Sequence, residues 1–369
     1  MPNEGADATD VQEQSACTVN DECDECQESV VENTPCEPSV DINELGIQVP
    51  DLPNVIEKKQ VIDKSFQVKS GDFLTKFTDF ISSESDLMTL CNIKSFSILN
   101  ELTRLMDKIY PQKKKGSLST RERIILTAVK LKLDIPFNAV SIMFRIVTSA
   151  TISNIFYDTL KKLATILRST IRRISKEEIM NNMPKCFENF QGVSSVYDCT
   201  EMFIQHPKCS KCAIEFYSHY KSGLTVKFMT EVSPGGIITG ISKPFGGRAS
   251  DKLIFNHTGV LQYLKRGEDE VMVDRGFLID DECYEKGIKF HRPPFLGKNK
   301  QLSDSDAVRN KEIAKARVHI ERMNAVIKRF QILDHKIKWY MINYVEDIFT
   351  VCCGLSNLSS PILADDKFL

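Results

Sequence analysis

The chain has 369 residues, 42% apolar and 27% charged, with a net charge of −2. That length accommodates two or three domains, and the composition excludes collagen, coiled-coil and wholly disordered chains. Its longest apolar run, IFTVCCGL from Ile348, falls far short of the ~20 residues that span a bilayer, so no membrane role is expected. The N-terminus lacks the positive start and apolar core of a secretory signal, so an intracellular protein with reduced thiols is expected.

The small net charge hides an asymmetry. Residues 1–60 hold 15 Asp or Glu and two Lys, a local charge of −13; the rest holds 46 Lys or Arg against 35 Asp or Glu, or +11. A basic body with an acidic arm points to a polyanion partner. Residues 1–70 are rich in Glu, Asp, Asn, Ser and Pro without sustained periodicity, and are expected to be a disordered acidic tail.

Helical patterning begins near Asp72, in DFLTKFTDFI and SFSILNELTRLMDKIY, and a PQKKKGS linker follows. Residues 117–168 read as three helices. Ser119 and Glu122 form a capping box before RIILTAVKLKL, and Pro136 opens FNAVSIMF. A long helix then carries an apolar stripe of Ile152, Ile155, Phe156, Leu160, Leu163 and Ile166. Its other side offers Thr151, Ser153, Asn154, Asp158 and Lys161. A short helix, a tight turn and a long helix with a small polar start is the pattern of a helix-turn-helix. Arg168, Arg172, Arg173 and Lys176 follow it and suit nucleic acid.

From about Gln191 the pattern turns to strands. SSVYDCTEMFI, TVKFMTEV and GIITGISKPF are expected to be the first three, SDKLIFNHTGVLQYL a helix, DEVMVDRG a fourth strand and KFHRPPF a fifth. Helices are expected from about Asp304 to Leu333 and from about Asn343 to Leu355. This order predicts an α/β domain with a mixed sheet over about 190–365, preceded by a helical region over about 71–180. The CxxC pairs Cys23/Cys26 and Cys209/Cys212 are far apart in the chain, so free thiols are expected ahead of a zinc site.

Asp198 in the first strand, Asp274 at the end of the fourth and Glu321 on the long helix are positioned as a sheet-based metal site would need. Arg317, Asn324 and Lys328 share the helical face of Glu321. Converging carboxylates repel unless cations neutralise them. With 50 acidic residues in the chain, spacing alone does not single these three out.

The surrounding motifs do. VYDCTEMFI, YSHYKSGLTVKF, FGGRASDK, VMVDRGF and RVHIERMNAVIKRFQIL occur in this order. Together they resemble the DDE-superfamily endonuclease domain of Harbinger-like eukaryotic transposases, and the helices of 117–168 resemble the DNA-binding domain that precedes it. The resemblance implies a ribonuclease-H-like nuclease core and an Asp-Asp-Glu triad of Asp198, Asp274 and Glu321. The triad would be both catalytic and metal-binding, with two Mg²⁺ or Mn²⁺ ions. It implies double-stranded DNA as substrate, with a homo-oligomer and an accessory DNA-binding protein as candidate partners, and a nuclear location. Thr151, Ser153, Asn154, Lys161, Arg173, Arg317 and Lys328 are the expected DNA contacts, and Asp251 is read as a helix cap. The rival expectation is a host-adopted DNA-binding protein that keeps the fold without transposition.

Overall fold

The computed structural model describes residues 76–111, 117–295 and 301–359. The expected acidic tail, the Cys23/Cys26 pair and the lysines of the PQKKKGS linker lie outside them. None of the described helices is long and apolar enough to cross a membrane.

Five helices come first: α1 (Glu84–Cys91), α2 (Phe96–Ile109), α3 (Thr120–Leu133), α4 (Phe137–Met143) and α5 (Ser149–Leu167). Each start has a local cause. Ser119 and Glu122 form the expected capping box of α3, the Ser119 hydroxyl accepting the Glu122 amide and the Glu122 carboxylate accepting that of Ser119. Pro136 stands one residue earlier than a first-turn proline, as the cap of α4. Thr148 caps α5. The turn between α4 and α5 contains no glycine; Arg145 takes the left-handed φ of 53° instead. The apolar stripe expected for α5 faces inward, with Ile152, Phe156, Leu160, Leu163 and Ile166 buried and Ile155 half-buried.

The sheet follows a short α6 (Lys176–Asn181). Its strands are β1 (Val193–Phe203), β2 (Tyr217–Ser218), β3 (Gly223–Val232), β4 (Ile238–Ile241), β5 (Phe245–Gly246), β6 (Glu270–Val273) and β7 (Lys289–His291). The order is β2-β3-β1-β6-β7, with β4 and β5 both pairing with β3. β3 runs antiparallel to β1 and β4, whereas β6 is parallel to β1 and β7 parallel to β6. All five expected strands are therefore present, in one mixed sheet.

The intervening helices are α7 (Ser210–Phe216), α8 (Asp251–His257), α9 (Asp280–Lys286), α10 (Asp304–Ile327), α11 (Gln331–Asp334) and α12 (Val345–Asn357). Two are shorter than their patterns predict. α8 ends at His257 because Gly259 turns the chain with a φ of 63°. α10 ends at Ile327, and Phe330 takes an extended conformation before α11. α7 and α9 were not expected at all. At α7 the Cys209 sulfur is a helix cap, accepting the Cys212 amide at 3.4 Å. The second CxxC pair thus has a structural use.

One apolar core runs from α1–α5 through α10–α12 to one face of the sheet. A smaller one lies on the other face, under α8 and α9. α5 crosses α12 so closely that a Cβ on Gly354 would sit 2.7 Å from that of Leu167. Tyr157 stacks on Tyr344 at 4.0 Å, and Arg168 and Lys243 both reach Glu346 at 3.0 Å. The described residues form one compact unit, so the helices before residue 180 and the sheet after 190 share a core.

Candidate active site

Strand alternation decides where Asp198 points. Tyr197 belongs to the core under α8 and α9 and Cys199 packs against it, while Val196 and Met202 join the helical core on the opposite face. Asp198, between Tyr197 and Cys199, therefore faces α10. There its Oδ2 accepts the side-chain amide of Asn324 at 2.7 Å. β6 is parallel to β1 with Tyr197 opposite Val273, so the next residue, Asp274, emerges beside Asp198. Asp274 also closes the turn that leaves the strand: its Oδ1 accepts the Arg275 amide at 2.6 Å and its carbonyl accepts that of Phe277 at 3.1 Å.

The third acid comes from α10. Ser303 caps this 24-residue helix, and Ala316, Ile320, Met323 and Ile327 bury one stripe of it. Beside the stripe, Arg317, Glu321 and Asn324 project at the i, i+4 and i+7 positions of one face. Arg317 is 13% exposed and links two acids: Nη1 lies 2.9 Å from Asp274 Oδ1 and Nη2 lies 3.3 Å from Glu321 Oε1. Burial, then the negative charges of Glu321 and Asp274, push the Asp198 carboxyl up to about 7, with Arg317 opposing. The fold thus gathers Asp198, Asp274, Glu321 and Arg317, four residues spread over more than a hundred positions of sequence.

These donors suit a hard divalent cation: oxygen ligands only, crowded enough that one carboxyl is driven toward protonation. Asn324 Oδ1, buried and without a hydrogen-bond partner, adds a further oxygen. As placed, however, no group of three or more His, Cys, Asp or Glu side chains among the described residues is spaced to hold a metal ion. Arg317 stands between the two outer acids.

A second charged cluster lies at the back of β1, which sequence reasoning missed. Lys227 on β3, 8% exposed, is 3.2 Å from Glu201 and 3.3 Å from Asp251, and donates to the Ala249 carbonyl at 3.0 Å. Burial, then the charge of Asp251, pushes the neighbouring Cys199 thiol well above its usual range. Asp251 is not the helix cap expected of it. Ser250 takes that role by accepting the Leu253 amide, which leaves Asp251 as the first helical residue and Lys227's partner. A Cβ on Gly276 would lie 2.5 Å from Asp251 Oδ2, so the Asp274 turn rests directly against the Asp251 carboxylate, which any larger residue would push aside. Glu201 and Lys227 are direct cross-strand partners, a pairing that neither strand shows alone.

The expected DNA contacts divide. Thr151, Asn154 and Lys161 are exposed on α5. Ser153 is half-buried and donates to the Ala150 carbonyl, and Lys161 lies 5.1 Å over the Tyr344 ring. Arg173 is 3.0 Å from the buried Glu231 and 3.4 Å over the Tyr263 ring, so the sheet side of the molecule holds its guanidinium. A cavity of about 380 Å³ beside that pair, reaching Ser242, Lys243 and His257, includes none of the three acids. Lys328 is exposed at the end of α10.

A sheet in which three antiparallel strands continue into two parallel ones, with acids on the central strand, its parallel neighbour and a covering helix, defines a ribonuclease-H-like nuclease core. Residues 197–357 match the family model of the DDE superfamily endonuclease. No curated protein matches the chain.

Proposed function

We propose that the protein is a transposase-type DNA nuclease that cuts phosphodiester bonds with two divalent ions held by Asp198, Asp274 and Glu321. One observation carries this reading: acids from β1, the end of β6 and α10 lie near one another, two of them joined by Arg317, within the segment that matches the DDE endonuclease family model. Mg²⁺ or Mn²⁺ in such a site activates water and stabilises the attacking and leaving oxygens of an in-line displacement. Within the chain, Asn324 fixes the Asp198 carboxylate and the Arg275 amide orients that of Asp274. Arg317 supplies positive charge next to the acids.

The α3-to-α5 segment serves as a helix-turn-helix that docks double-stranded DNA, with Thr151, Asn154 and Lys161 on its exposed side. Its packing on α12 fixes its orientation relative to the acids. A nuclear location, a homo-oligomer and an accessory DNA-binding protein belong to the same reading.

The test is cleavage of duplex DNA in Mg²⁺ by the wild type and by Asp198→Asn, Asp274→Asn and Glu321→Gln. Each variant removes one oxygen anion and should abolish cleavage while DNA binding persists. A wild type that binds DNA and never cuts it would instead make this a host-adopted DNA-binding protein.

A further inference from the structure

We propose that Arg317 is an exchangeable counter-cation: its guanidinium holds Asp274 and Glu321 together in the metal-free protein and yields them when a divalent ion enters. This rests on the nuclease reading of the same site and adds a gating role to a residue so far counted only as a phosphate contact.

Asp198, Asp274 and Glu321 gather acidic charge, and Arg317 is ion-paired with the two outer acids, at 2.9 Å and 3.3 Å. Asp198 accepts the neutral amide of Asn324 instead. A single guanidinium therefore relieves the cluster in part. It binds the two acids that come from separate elements, the β6 turn and α10, which have the most to gain from a bridge.

Occupancy is the second step. A guanidinium at 2.9 Å uses lone pairs that a metal would need at ~2.1 Å, and Asp274 Oδ1 already accepts the Arg275 amide as well. An ion bound through Asp274 Oδ1 would therefore displace Arg317 from that oxygen.

The third step is release. Arg317 keeps its charge at every physiological pH, so protonation cannot remove it; a competing cation can. Its Nε is buried without a hydrogen-bond partner, so the guanidinium is held through its two terminal nitrogens alone. A permanent structural arginine is expected to have its donors satisfied. Once released, the side chain lies beside the acids with its five donors open to a phosphate group.

The experiment is titration of Mn²⁺ into the full-length protein without DNA, followed by calorimetry, for wild type, Arg317→Gln, Arg317→Lys and Asp198→Asn. Removing a competing cation should tighten Mn²⁺ binding in Arg317→Gln by about tenfold, with Arg317→Lys closer to wild type. The same variant should melt earlier than wild type without metal and gain more from Mg²⁺. Circular dichroism confirms folding, and Arg317→Lys keeps the comparison valid if the Gln variant is damaged. Weaker or unchanged Mn²⁺ binding in a folded Arg317→Gln overturns the exchange and makes Arg317 a fixed brace. Wild-type binding that Asp198→Asn leaves intact, or no binding at all, overturns the metal-site reading itself.

Discussion

Asn324, on α10, donates its side-chain amide to the Asp198 carboxylate on β1 at 2.7 Å, joining residues 126 positions apart. The contact fixes the rotamer of the central acid from the helix that supplies the outer one. A carboxylate without such a partner would be free to swing on its χ angles, and groups that orient metal ligands contribute ~10–100-fold in affinity or activity. Asn324→Ala is therefore expected to lower Mg²⁺-dependent cleavage by about that factor while sparing DNA binding. Cleavage at the wild-type rate across a Mg²⁺ titration would remove the orienting role.

Asp198 itself gives a pH dependence. Its carboxyl is raised to about 7 in the folded protein, whereas an unfolded chain titrates it near the ordinary ~4. The folded state then binds the proton more tightly than the unfolded state. Its contribution to stability is fully present below ~4 and is lost as pH rises through about 7. Without metal, Asp198→Asn should accordingly melt ~2–5 °C above wild type at pH 8, and the gap should close toward pH 4. Melting curves at the two pH values check this, and a gap that widens on acidification would contradict the burial of that carboxylate.

Much of this site was legible in the sequence. Asp198, Asp274 and Glu321 sit in motifs whose surroundings identify a strand, a strand end and an amphipathic helix, and Arg317 and Asn324 follow from helical spacing once Glu321 is chosen. What spacing could not supply was pairing. The parallel register of β1 with β6, which brings Asp274 beside Asp198, is a long-range choice that neither strand encodes alone. Arg173 shows the opposite case. Its place in a basic run suggested DNA, but the buried Glu231, 58 residues away, holds it at 3.0 Å. α7 and α9 escaped because seven residues make two turns, too few for a helical period to stand out, and their starts depend on Cys209 and Ile279 rather than on a Ser, Thr, Asp or Asn cap.

Gly354 tests the packing that fixes α5 on the nuclease core. Within a helix, alanine normally exceeds glycine by ~1 kcal/mol. Here the added methyl carbon would lie 2.7 Å from Leu167 Cβ and 3.2 Å from its carbonyl oxygen, and Leu167 is fully buried. Overpacking should outweigh propensity, so Gly354→Ala is expected to destabilise by about 1–3 kcal/mol. Thermal unfolding measures it; an unchanged or higher midpoint would show that the two helices can separate at little cost.

The proposed DNA-docking face of α5 is best tested in the full-length chain, since its buried stripe shares the core with α12. In an Asp198→Asn background, which should not cut, Lys161→Ala should weaken binding to all sequences alike and flatten the salt dependence. Asn154→Ala should chiefly relax preference among sequences if α5 lies in a major groove. Binding titrations against specific and random duplexes at two salt concentrations separate these outcomes. Neither variant changing either property would place the DNA surface elsewhere.

The acidic segment can be argued from charge alone. Residues 1–60 carry −13 and the remainder of the chain +11. Covalent attachment gives such a segment an effective concentration of order millimolar at the body's basic side chains. At that level it competes with DNA phosphates for the same Lys and Arg groups. Screening over ~8 Å at physiological ionic strength confines the competition to direct contacts. Deleting 1–60 should therefore tighten non-specific DNA binding at low salt, and the difference from the full-length chain should shrink as salt rises, because ions displace the segment and the DNA alike. Fluorescence anisotropy with a random duplex at about 20 mM and about 200 mM salt, where the Debye length is roughly 20 Å and roughly 7 Å, reads both limits. Equal affinities at the lower concentration would show that the segment never occupies the DNA-binding side chains, and its charge would then act on some other basic partner.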